Sequence, residues 1–331
     1  MTRPRVFLTH TPAALANYYG PRAVSALREM AEIVVNPTGE VLDADGLTVH
    51  ASGCAVVVSD RATPGFASFF DRSPDLMAFL RCAVDIRNVD VEAASRHGIL
   101  VTHATPGFVA SVAELGMGMM IDLARDISAS VGMYRSGQMP VPRMGRQLQG
   151  STVGLIGYGV IAQHLAKLAK AFGMTILACD PYKQIAEPGI RQVSFEALLK
   201  ESDFVVCLAV ATDATENLMN ADAFARMRPD AFFINLSRGN LVDEAALIAA
   251  LDARRIAGAA MDVGRAPDQL PSPELARHQN VIATPHTGGL TPAAIEHQAF
   301  DTVEQVRALF AGLAPPGAVN LDAATRLKRL R

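Results

Sequence analysis

Two side chains suited to proton transfer and anion binding follow strand-like segments of the sequence. Arg238 comes directly after "AFFINLS", and His286 comes directly after "NVIATP". A guanidinium stays charged and offers a planar pair of donors to a carboxylate, whereas an imidazole gives or takes a proton near neutral pH. Ligands of open parallel sheets bind beyond the carboxyl ends of the strands. The two residues therefore predict one ligand site, at which an arginine could bind an anion and a histidine could transfer a proton.

The segment "TVGLIGYGVIAQHLA" has the pattern of a dinucleotide-binding turn. Gly157 and Gly159 occupy the first two positions of G-x-G-x-x-G, and Ala162 takes the third. The first glycine permits a tight turn, the second lets the backbone approach a pyrophosphate, and the small third residue lets helix and strand pack closely. The helix that opens near Val160 presents free N–H groups and a positive dipole end to phosphates. This context predicts dinucleotide binding.

A carboxylate ends the next strand-like segment, "MTILACD". Asp180 lies 23 residues after Gly157, where an acid accepts hydrogen bonds from the ribose hydroxyls and repels a 2′-phosphate. Lys183 lies nearby and would offset part of that repulsion. Asp180 predicts NAD as the cofactor in preference to NADP.

Strand-like and helix-like segments alternate in two stretches of the chain. The first runs from about residue 5 to 101, with the strand candidates "RVFLTH", "EIVVNP", "CAVVVSD" and "GILVTH". The second begins at about residue 152, and its strands, such as "DFVVCLAV", are apolar throughout. Strands of this kind, separated by helices, indicate parallel sheets covered on both faces. Between the stretches we predict one long helix, from about 108 to 136, whose all-round apolar surface is typical of a helix buried between layers or subunits.

The composition excludes several classes of partner. The 331 residues are 50% hydrophobic and 19% charged, with a net charge of −3, which argues against nucleic-acid binding. The one basic run, "RLKRLR", is interpreted as a solvated tail. No secretory signal is recognised, the apolar runs are too short for a membrane span, and the four cysteines lack metal or disulfide spacing. We expect a cytoplasmic protein without a nucleic-acid, membrane or metal partner.

Several segments together resemble the D-isomer-specific 2-hydroxyacid dehydrogenases. They are "VDVEAASRHGILVTHATPG" with "SVAEL", "GLIGYGVIAQHLA" with "CDPY", "INLSRGNLVDEAALIAAL", "AGAAMDV" and "TPHTGG". The resemblance implies an α/β fold of two doubly wound parallel-sheet domains. A Rossmann NAD-binding domain (residues 104–289) would be inserted in a flavodoxin-like substrate domain (residues 1–103 and 290–331), with the active site in the cleft. A homodimer, held partly by the long helix after Phe108, is also implied.

The resemblance further implies a reaction and a role for each matched residue. The reaction is NAD-dependent interconversion of a small 2-keto acid and its D-2-hydroxy acid. His286 would be the general acid and base, and Arg238 would hold the carboxylate and carbonyl oxygen of the substrate. The implied cofactor contacts are Val160 and Ile161 at the pyrophosphate, Ser237 through its backbone, and Asp262 near the nicotinamide carboxamide.

The chain departs from the family pattern in the segment "DVGRAPDQLP". The family has a Glu five residues after the aspartate that matches Asp262, and this chain has Pro267 there. An anion near His286 would keep it protonated, because an opposite charge favours the charged form. Asp268 is predicted to supply that anion as a catalytic residue. The alternatives are that Asp268 is only a turn residue, or that the neutral amide of Gln269 orients the imidazole.

A second departure lies in the predicted substrate-binding loop, "CAVDIRN". The family usually has a glycine at the position of Asp85, in a loop whose backbone N–H groups bind the substrate carboxylate. We predict that the backbone N–H groups of Val84 and Asp85 do so here. The Asp85 side chain would repel a bound carboxylate unless Arg87 neutralises it. His103 also stands where an Asn is usual, so the substrate of this divergent branch need not be a simple 2-keto acid.

Two other functions are compatible with the same residues. One is an NAD(H)-sensing regulatory protein that resembles the C-terminal-binding-protein corepressors, which share this fold and can keep its active-site residues. The other is a dehydrogenase of a substrate such as formate or phosphite. NADH oxidation measured against 2-keto acids of graded size separates these functions from the first.

Overall fold

The computed structural model describes residues 3–330, except for the side chains of Asp268 and Leu330. The chain divides into two compact units. Unit 1 consists of Met1–Gly107 and Thr291–Arg331, and unit 2 consists of Phe108–Leu290. The domain boundaries and domain roles given above remain predictions.

The part of unit 1 before Phe108 alternates strands with helices. Its strands are β1 (Arg5–Leu8), β2 (Glu32–Val35), β3 (Val56–Ser59), β4 (Ala78–Arg81) and β5 (Leu100–His103). Its helices are α1 (Pro12–Tyr18), α2 (Pro21–Met30), α3 (Ala44–His50), α4 (Ala67–Asp71) and α5 (Val91–Arg96).

Unit 2 begins with two helices and continues as an alternating α/β segment. The first two helices are α6 (Val109–Arg125) and α7 (Ile127–Arg135). The strands are β6 (Thr152–Ile156), β7 (Thr175–Cys179), β8 (Ile190–Gln192), β9 (Phe204–Cys207), β10 (Phe232–Asn235), β11 (Gly258–Met261) and β12 (Val281–Ala283). The helices between them are α8 (Val160–Ala171), α9 (Phe195–Glu201), α10 (Ala221–Arg226), α11 (Glu244–Asp252) and α12 (Pro273–Ala276). Helix α13 (Pro292–Phe310) then belongs to unit 1.

The sheet of unit 1 is parallel and has the strand order β2-β1-β3-β4-β5, which is the flavodoxin-like order. Alternate residues of each strand pack on opposite faces. Leu8 packs with residues of α2 and α13, such as Leu27 and Val306. Phe7 packs on the other face with residues of α3 and α4, such as Leu47. The sheet is therefore covered on both sides by helices.

The sheet of unit 2 is also parallel, in the order β12-β11-β10-β9-β6-β7-β8, which extends the Rossmann order by one strand. Six strands end in one row across this sheet. The row consists of Ile156, Cys179, Cys207, Asn235, Met261 and Ala283. The segments that follow these residues consequently emerge at a single edge. The structure confirms the predicted fold class of two parallel-sheet α/β domains.

The sequence prediction omitted strands β4 and β8, and it differs from the structure in three further features. The predicted single helix over 108–136 is wrong, because Asp126 adopts a left-handed conformation with φ of 57° and separates α6 from α7. Whereas α6 is extensively buried, α7 has no buried residue. The basic C-terminal segment is only partly solvated: Lys328 and Arg329 are exposed, but Arg326 donates to the carbonyl oxygens of Ser73 and Leu76 at 2.6 and 2.9 Å.

Within residues 3–330, no helix has the length and apolar character that crossing a membrane requires. Among the side chains that the structure describes, no group of three or more from Asp, Glu, His or Cys is arranged to hold a metal ion.

Candidate active site

The loop after β12 holds His286 in a conformation that few residues adopt. Its φ is 54°, in the left-handed region, and such a residue costs of order 1–3 kcal/mol and persists only where its surroundings determine it. The backbone N–H of His286 donates to the carbonyl oxygens of Asp262 at 2.9 Å and Thr284 at 3.0 Å. These bonds fix the direction in which His286 leaves the sheet.

The side chain of Asp262 supports the same loop. It is 3% exposed and follows the last residue of β11. Its Oδ1 accepts from the Thr284 hydroxyl at 2.6 Å and from both the N–H and the hydroxyl of Thr287, at 2.8 and 3.3 Å. Its Oδ2 accepts from the N–H of Gly288 at 2.9 Å. Asp262 thus holds the residues on both sides of His286, and its predicted place beside the nicotinamide stays a prediction.

The buried side-chain amide of Asn235 stabilises the turn that leads to Arg238. Asn235, the last residue of β10, is fully buried. Its Oδ1 accepts from the N–H of Ser237 at 3.1 Å, and its Nδ2 donates to the carbonyl oxygen of Arg238 at 2.9 Å. Arg238 itself is extended, with φ of −144° and ψ of 149°, and its Nη1 donates to the carbonyl oxygen of Ser237 at 2.8 Å. Sequence reasoning missed Asn235, although a polar residue that ends an apolar strand is a signal for such a turn.

The turns after β6, β9 and β10 lie against one another. Gly157 has φ of 85°, and a Cβ on it would lie 2.7 Å from the Cα of Ala209. The hydroxyl of Ser237 donates to the carbonyl oxygen of Ala209 at 2.5 Å. Only glycine combines this backbone conformation with so close an approach. The three turns therefore form one packed edge.

The start of α8 has room for an anionic ligand. A Cβ on Gly159 would have no heavy atom within 4 Å, and Gly159 is the N-cap, with no side-chain hydrogen bond to the helix. Val160 is 54% exposed, whereas Ile161 is half-buried and packs on the core. An uncapped helix N-terminus next to open space fits the pyrophosphate of a dinucleotide.

Asp180 is tied to the glycine turn. Its Oδ2 accepts from the N–H of Tyr158 at 2.9 Å, and its Oδ1 accepts from the N–H of Tyr182 at 2.9 Å. Each carboxylate oxygen has a second lone pair, so acceptor capacity for a ribose diol remains. The ammonium of Lys183 donates to the carbonyl oxygen of Tyr158 at 3.0 Å, which gives this cation a partner in the turn itself.

In unit 1, the predicted substrate loop follows β4, and Val84 and Asp85 are half-buried there. The Arg87 guanidinium binds the Asp85 carboxylate through Nε and Nη2, with an Nη2–Oδ2 distance of 2.6 Å. The hydrogen bonds that Arg87 donates to the Asp85 carboxylate raise the pKa of Arg87. The buried guanidinium of Arg81 donates to the carbonyl oxygens of Asp85 at 3.2 Å and Arg61 at 2.6 Å. Arg87 thus neutralises the Asp85 carboxylate, and substrate binding by the backbone of this loop stays a prediction.

The loop that carries Asp268 forms a single 3-10 turn over Pro267–Gln269. It is closed by hydrogen bonds from Gly264 N–H to the Gln269 carbonyl at 2.7 Å and from Ala266 N–H to the Leu270 carbonyl at 3.0 Å. The Asp268 side chain lies outside the described residues, so its contact with His286 stays a prediction. Among the described atoms, Oε1 of Gln269 is buried and has no hydrogen-bond partner.

Comparisons with known proteins agree with this arrangement. A family model described as the NAD-binding domain of D-isomer-specific 2-hydroxyacid dehydrogenases matches residues 117–288. A D-3-phosphoglycerate dehydrogenase of Synechocystis is 38% identical over 249 residues, which are 74% of this chain and 45% of that protein. A hydroxypyruvate reductase of Thermotoga maritima is 34% identical over 275 residues, which are 81% of this chain and 89% of that protein.

A solved structure supports the fold over nearly the whole chain. The TT0316 protein of Thermus thermophilus superposes with a TM-score of 0.85 at 31% identity, covering 95% of this chain and 99% of that one. The chain spans about half the length of the phosphoglycerate dehydrogenases that it matches, between 39% and 58%. The family model covers Gly157, Asp180, Arg238 and His286 together. This chain belongs to the D-isomer-specific 2-hydroxyacid dehydrogenase family.

Proposed function

We propose that the protein is an NAD-dependent dehydrogenase that interconverts a small 2-keto acid and its D-2-hydroxy acid. The observation that carries the proposal is the row of strand ends in unit 2. The glycine turn with its uncapped helix follows β6, Arg238 follows β10, and His286 follows β12. The turn proposed to bind the dinucleotide, the guanidinium proposed to bind the substrate anion and the imidazole proposed to donate a proton therefore all follow strands that end at one edge of one sheet.

In the reductive direction, bound NADH supplies the hydride that reduces C2 of the keto acid. Negative charge develops on the carbonyl oxygen, and protonated His286 donates a proton to it. A positioned acid of this kind is typically worth about 10²- to 10⁴-fold in rate. Arg238 holds the substrate carboxylate through its planar donor pair and stabilises the developing charge. In the oxidative direction, neutral His286 accepts the hydroxyl proton.

NAD is proposed in preference to NADP. The support is the Asp180 carboxylate at the end of β7, which would repel a 2′-phosphate, together with the hydrogen bond that occupies Lys183. Gly157, Gly159, Val160, Ile161, Ser237 and Asp262 are the proposed further cofactor contacts. In unit 1, the backbone N–H groups of Val84 and Asp85 are the proposed substrate contacts.

We also propose a cytoplasmic homodimer. All four cysteines are free thiols, as suits a reducing compartment. Helix α7 exposes the apolar side chains of Ile127, Val131 and Tyr134, and Met139 and Val141 after it are each 76% exposed. Burial of this surface between two copies would remove it from water. Light scattering of the wild type and of Val131→Asp tests the assembly, and a wild-type monomer would contradict it.

The test of activity is NADH oxidation against glyoxylate, hydroxypyruvate, pyruvate and longer 2-keto acids, with the chirality of each product determined. His286→Ala is expected to lower kcat about 10²-fold or more and to leave the NADH dissociation constant nearly unchanged. Equal turnover by His286→Ala would reject the assigned role. Tight NADH binding without oxidation by any keto acid would favour a regulatory protein instead.

A further inference from the structure

We propose that Arg265 is a positioning residue for the reaction, and that its guanidinium sets the place of Arg238. The proposal rests on the function proposed above. Arg265 lies two residues before Pro267, in the segment where the chain departs from the family pattern. No motif in the sequence singles it out.

The guanidinium of Arg265 joins three segments of unit 2. Its Nε donates to the carbonyl oxygen of Val242 at 2.9 Å, and its Nη2 donates to the carbonyl oxygen of Asn240 at 2.9 Å. The same Nη2 donates to Oε1 of Glu216 at 2.8 Å and to Oδ1 of Asn217 at 2.6 Å. The segments that follow β9, β10 and β11 thus converge on one side chain.

The backbone of Arg265 and the side chains around it strengthen this junction. The N–H of Arg265 donates to Oε1 of Glu244 at 2.9 Å. Glu216 also accepts from Nδ2 of Asn240 at 2.9 Å, and the N–H of Asn217 donates to the carbonyl oxygen of Asn240 at 2.9 Å. The hydrogen bond from Arg265 to Glu216 joins two charged groups, and Glu216 and the Asn240 carbonyl each accept from more than one donor, so these bonds form a network.

A close backbone approach lies next to Arg238. Gly239 directly follows Arg238, and a Cβ on Gly239 would lie 1.9 Å from the carbonyl oxygen of Gly264. Gly264 in turn precedes Arg265. The segment that begins at Arg238 is therefore pressed against the loop of Arg265, and the guanidinium holds the two together from the side of Asn240 and Val242.

This geometry gives Arg265 an effect on catalysis through another residue. Arg238 is the N-cap of the one-turn 3-10 segment Gly239–Leu241. Arg265 binds two carbonyl oxygens of this turn, that of Asn240 within it and that of Val242 directly after it. Loss of these bonds would let the segment shift, and a displacement of about 1 Å at a substrate-binding group can cost about 10²-fold in rate. The same loss would loosen the loop that carries Asp268.

The experiment measures kcat and KM for the preferred keto acid, and the NADH dissociation constant, for Arg265→Met and Arg265→Lys. Arg265→Met is expected to lower kcat/KM at least about tenfold and to change the NADH dissociation constant by no more than about threefold. Arg265→Lys should lose less of kcat/KM, because it keeps the positive charge but not the planar set of guanidinium donors. The control is Arg191→Met, which removes an exposed arginine paired with Glu201 at the β8 edge and should leave all three constants unchanged.

A double-mutant cycle separates positioning from general destabilisation. If Arg265 acts through Arg238, Arg265→Met should have little further effect on kcat/KM in an Arg238→Lys background. Equal losses in both backgrounds, or a value of kcat/KM for Arg265→Met within twofold of the wild type, would overturn the proposal. If none of the keto acids tested supports NADH oxidation by the wild-type protein, the proposed function itself is rejected. The two failures are therefore distinguishable.

Discussion

Asp262 binds His286 through its backbone carbonyl and binds the neighbours of His286 through its carboxylate. The carbonyl oxygen of Asp262 accepts the N–H of His286, while the carboxylate accepts from Thr284, Thr287 and Gly288. These contacts support the loop on both sides of its left-handed residue. Asp262, which follows β11, therefore helps to set the conformation of the loop that carries His286.

Replacement of Asp262 by Asn should impair catalysis more than cofactor binding. An amide has only one acceptor oxygen, so its NH₂ group would face a backbone N–H of Thr287 or Gly288 that now has no acceptor. We expect kcat to fall about tenfold or more, with a lower Tm, from stopped-flow kinetics and calorimetry. Asp252→Asn, at an exposed acid near His278, is the control. A larger change in NADH affinity than in kcat would indicate that Asp262 acts mainly on the cofactor.

The two glycines of the dinucleotide turn should respond differently to alanine. Gly157→Ala places a Cβ 2.7 Å from Ala209 and forces φ of 85° on an alanine, so both Tm and NADH affinity should fall. Gly159→Ala meets open space at φ of −79°, so Tm should stay constant while NADH affinity falls about tenfold or more, because the Cβ occupies the room for the pyrophosphate.

Gly150→Ala is the matched control for the turn. Gly150 has φ of 80° with no atom within 4 Å of its Cβ position, so it reproduces the backbone strain of Gly157→Ala without the clash. Fluorescence titration with NADH and thermal unfolding are measured for all three variants. Undiminished NADH affinity in Gly159→Ala would contradict the placement of the pyrophosphate.

Much of the fold follows from the sequence, because long apolar strands and a glycine turn are local signals. The secondary-structure and site predictions fail where tertiary contacts, and not local sequence, determine the conformation of the chain. Strand β4 ends in Arg81, a buried cation that carbonyl oxygens of unit 1 satisfy, and strand β8 is a short edge strand of mostly polar residues. The break at Asp126 carries neither glycine nor proline. The role of Arg265 cannot be predicted from the sequence, because its contacts form only when three loops that are distant in sequence come together.

The pH dependence of the reduction reaction tests the role of Asp268. If Asp268 supplies the anion that keeps His286 protonated, Asp268→Asn should shift the alkaline limb of the kcat/KM profile for reduction to lower pH, because removal of a negative charge favours the neutral imidazole. Gln269→Ala removes the neutral amide of the alternative role, and because it removes no charge it should leave the alkaline limb in place. An unmoved alkaline limb in Asp268→Asn would leave Asp268 as a turn residue.

Stability should fall on acidification because of His10. This histidine is 1% exposed, and burial lowers its pKa from 6.5 to about 4, with Asp60 acting in the opposite direction and Arg81 in the same one. Between those pH values the unfolded chain binds a proton that the folded chain does not, so the free energy of unfolding increases with pH in this window. The full contribution is about 3 kcal/mol by order of magnitude.

His10→Gln should therefore flatten the dependence of unfolding free energy on pH between about 4 and 6.5, relative to the wild type. Urea denaturation across this range measures the slope. His50→Gln, at a partly exposed histidine that ends α3, is expected to leave the slope unchanged. A slope that survives in His10→Gln would assign the acid sensitivity to other groups.

The row of strand ends in unit 2 has a consequence for how such a protein can be altered. An insertion of one residue within β10 or β11 would exchange the two faces of that strand and move its last residue out of the row. Loops beyond the row can change in length or composition while the sheet keeps its register. Exchange of residues 264–271 between relatives would thus vary this loop without disturbing the strands below it, provided that the grafted loop brings its own anchor to the segment after β10.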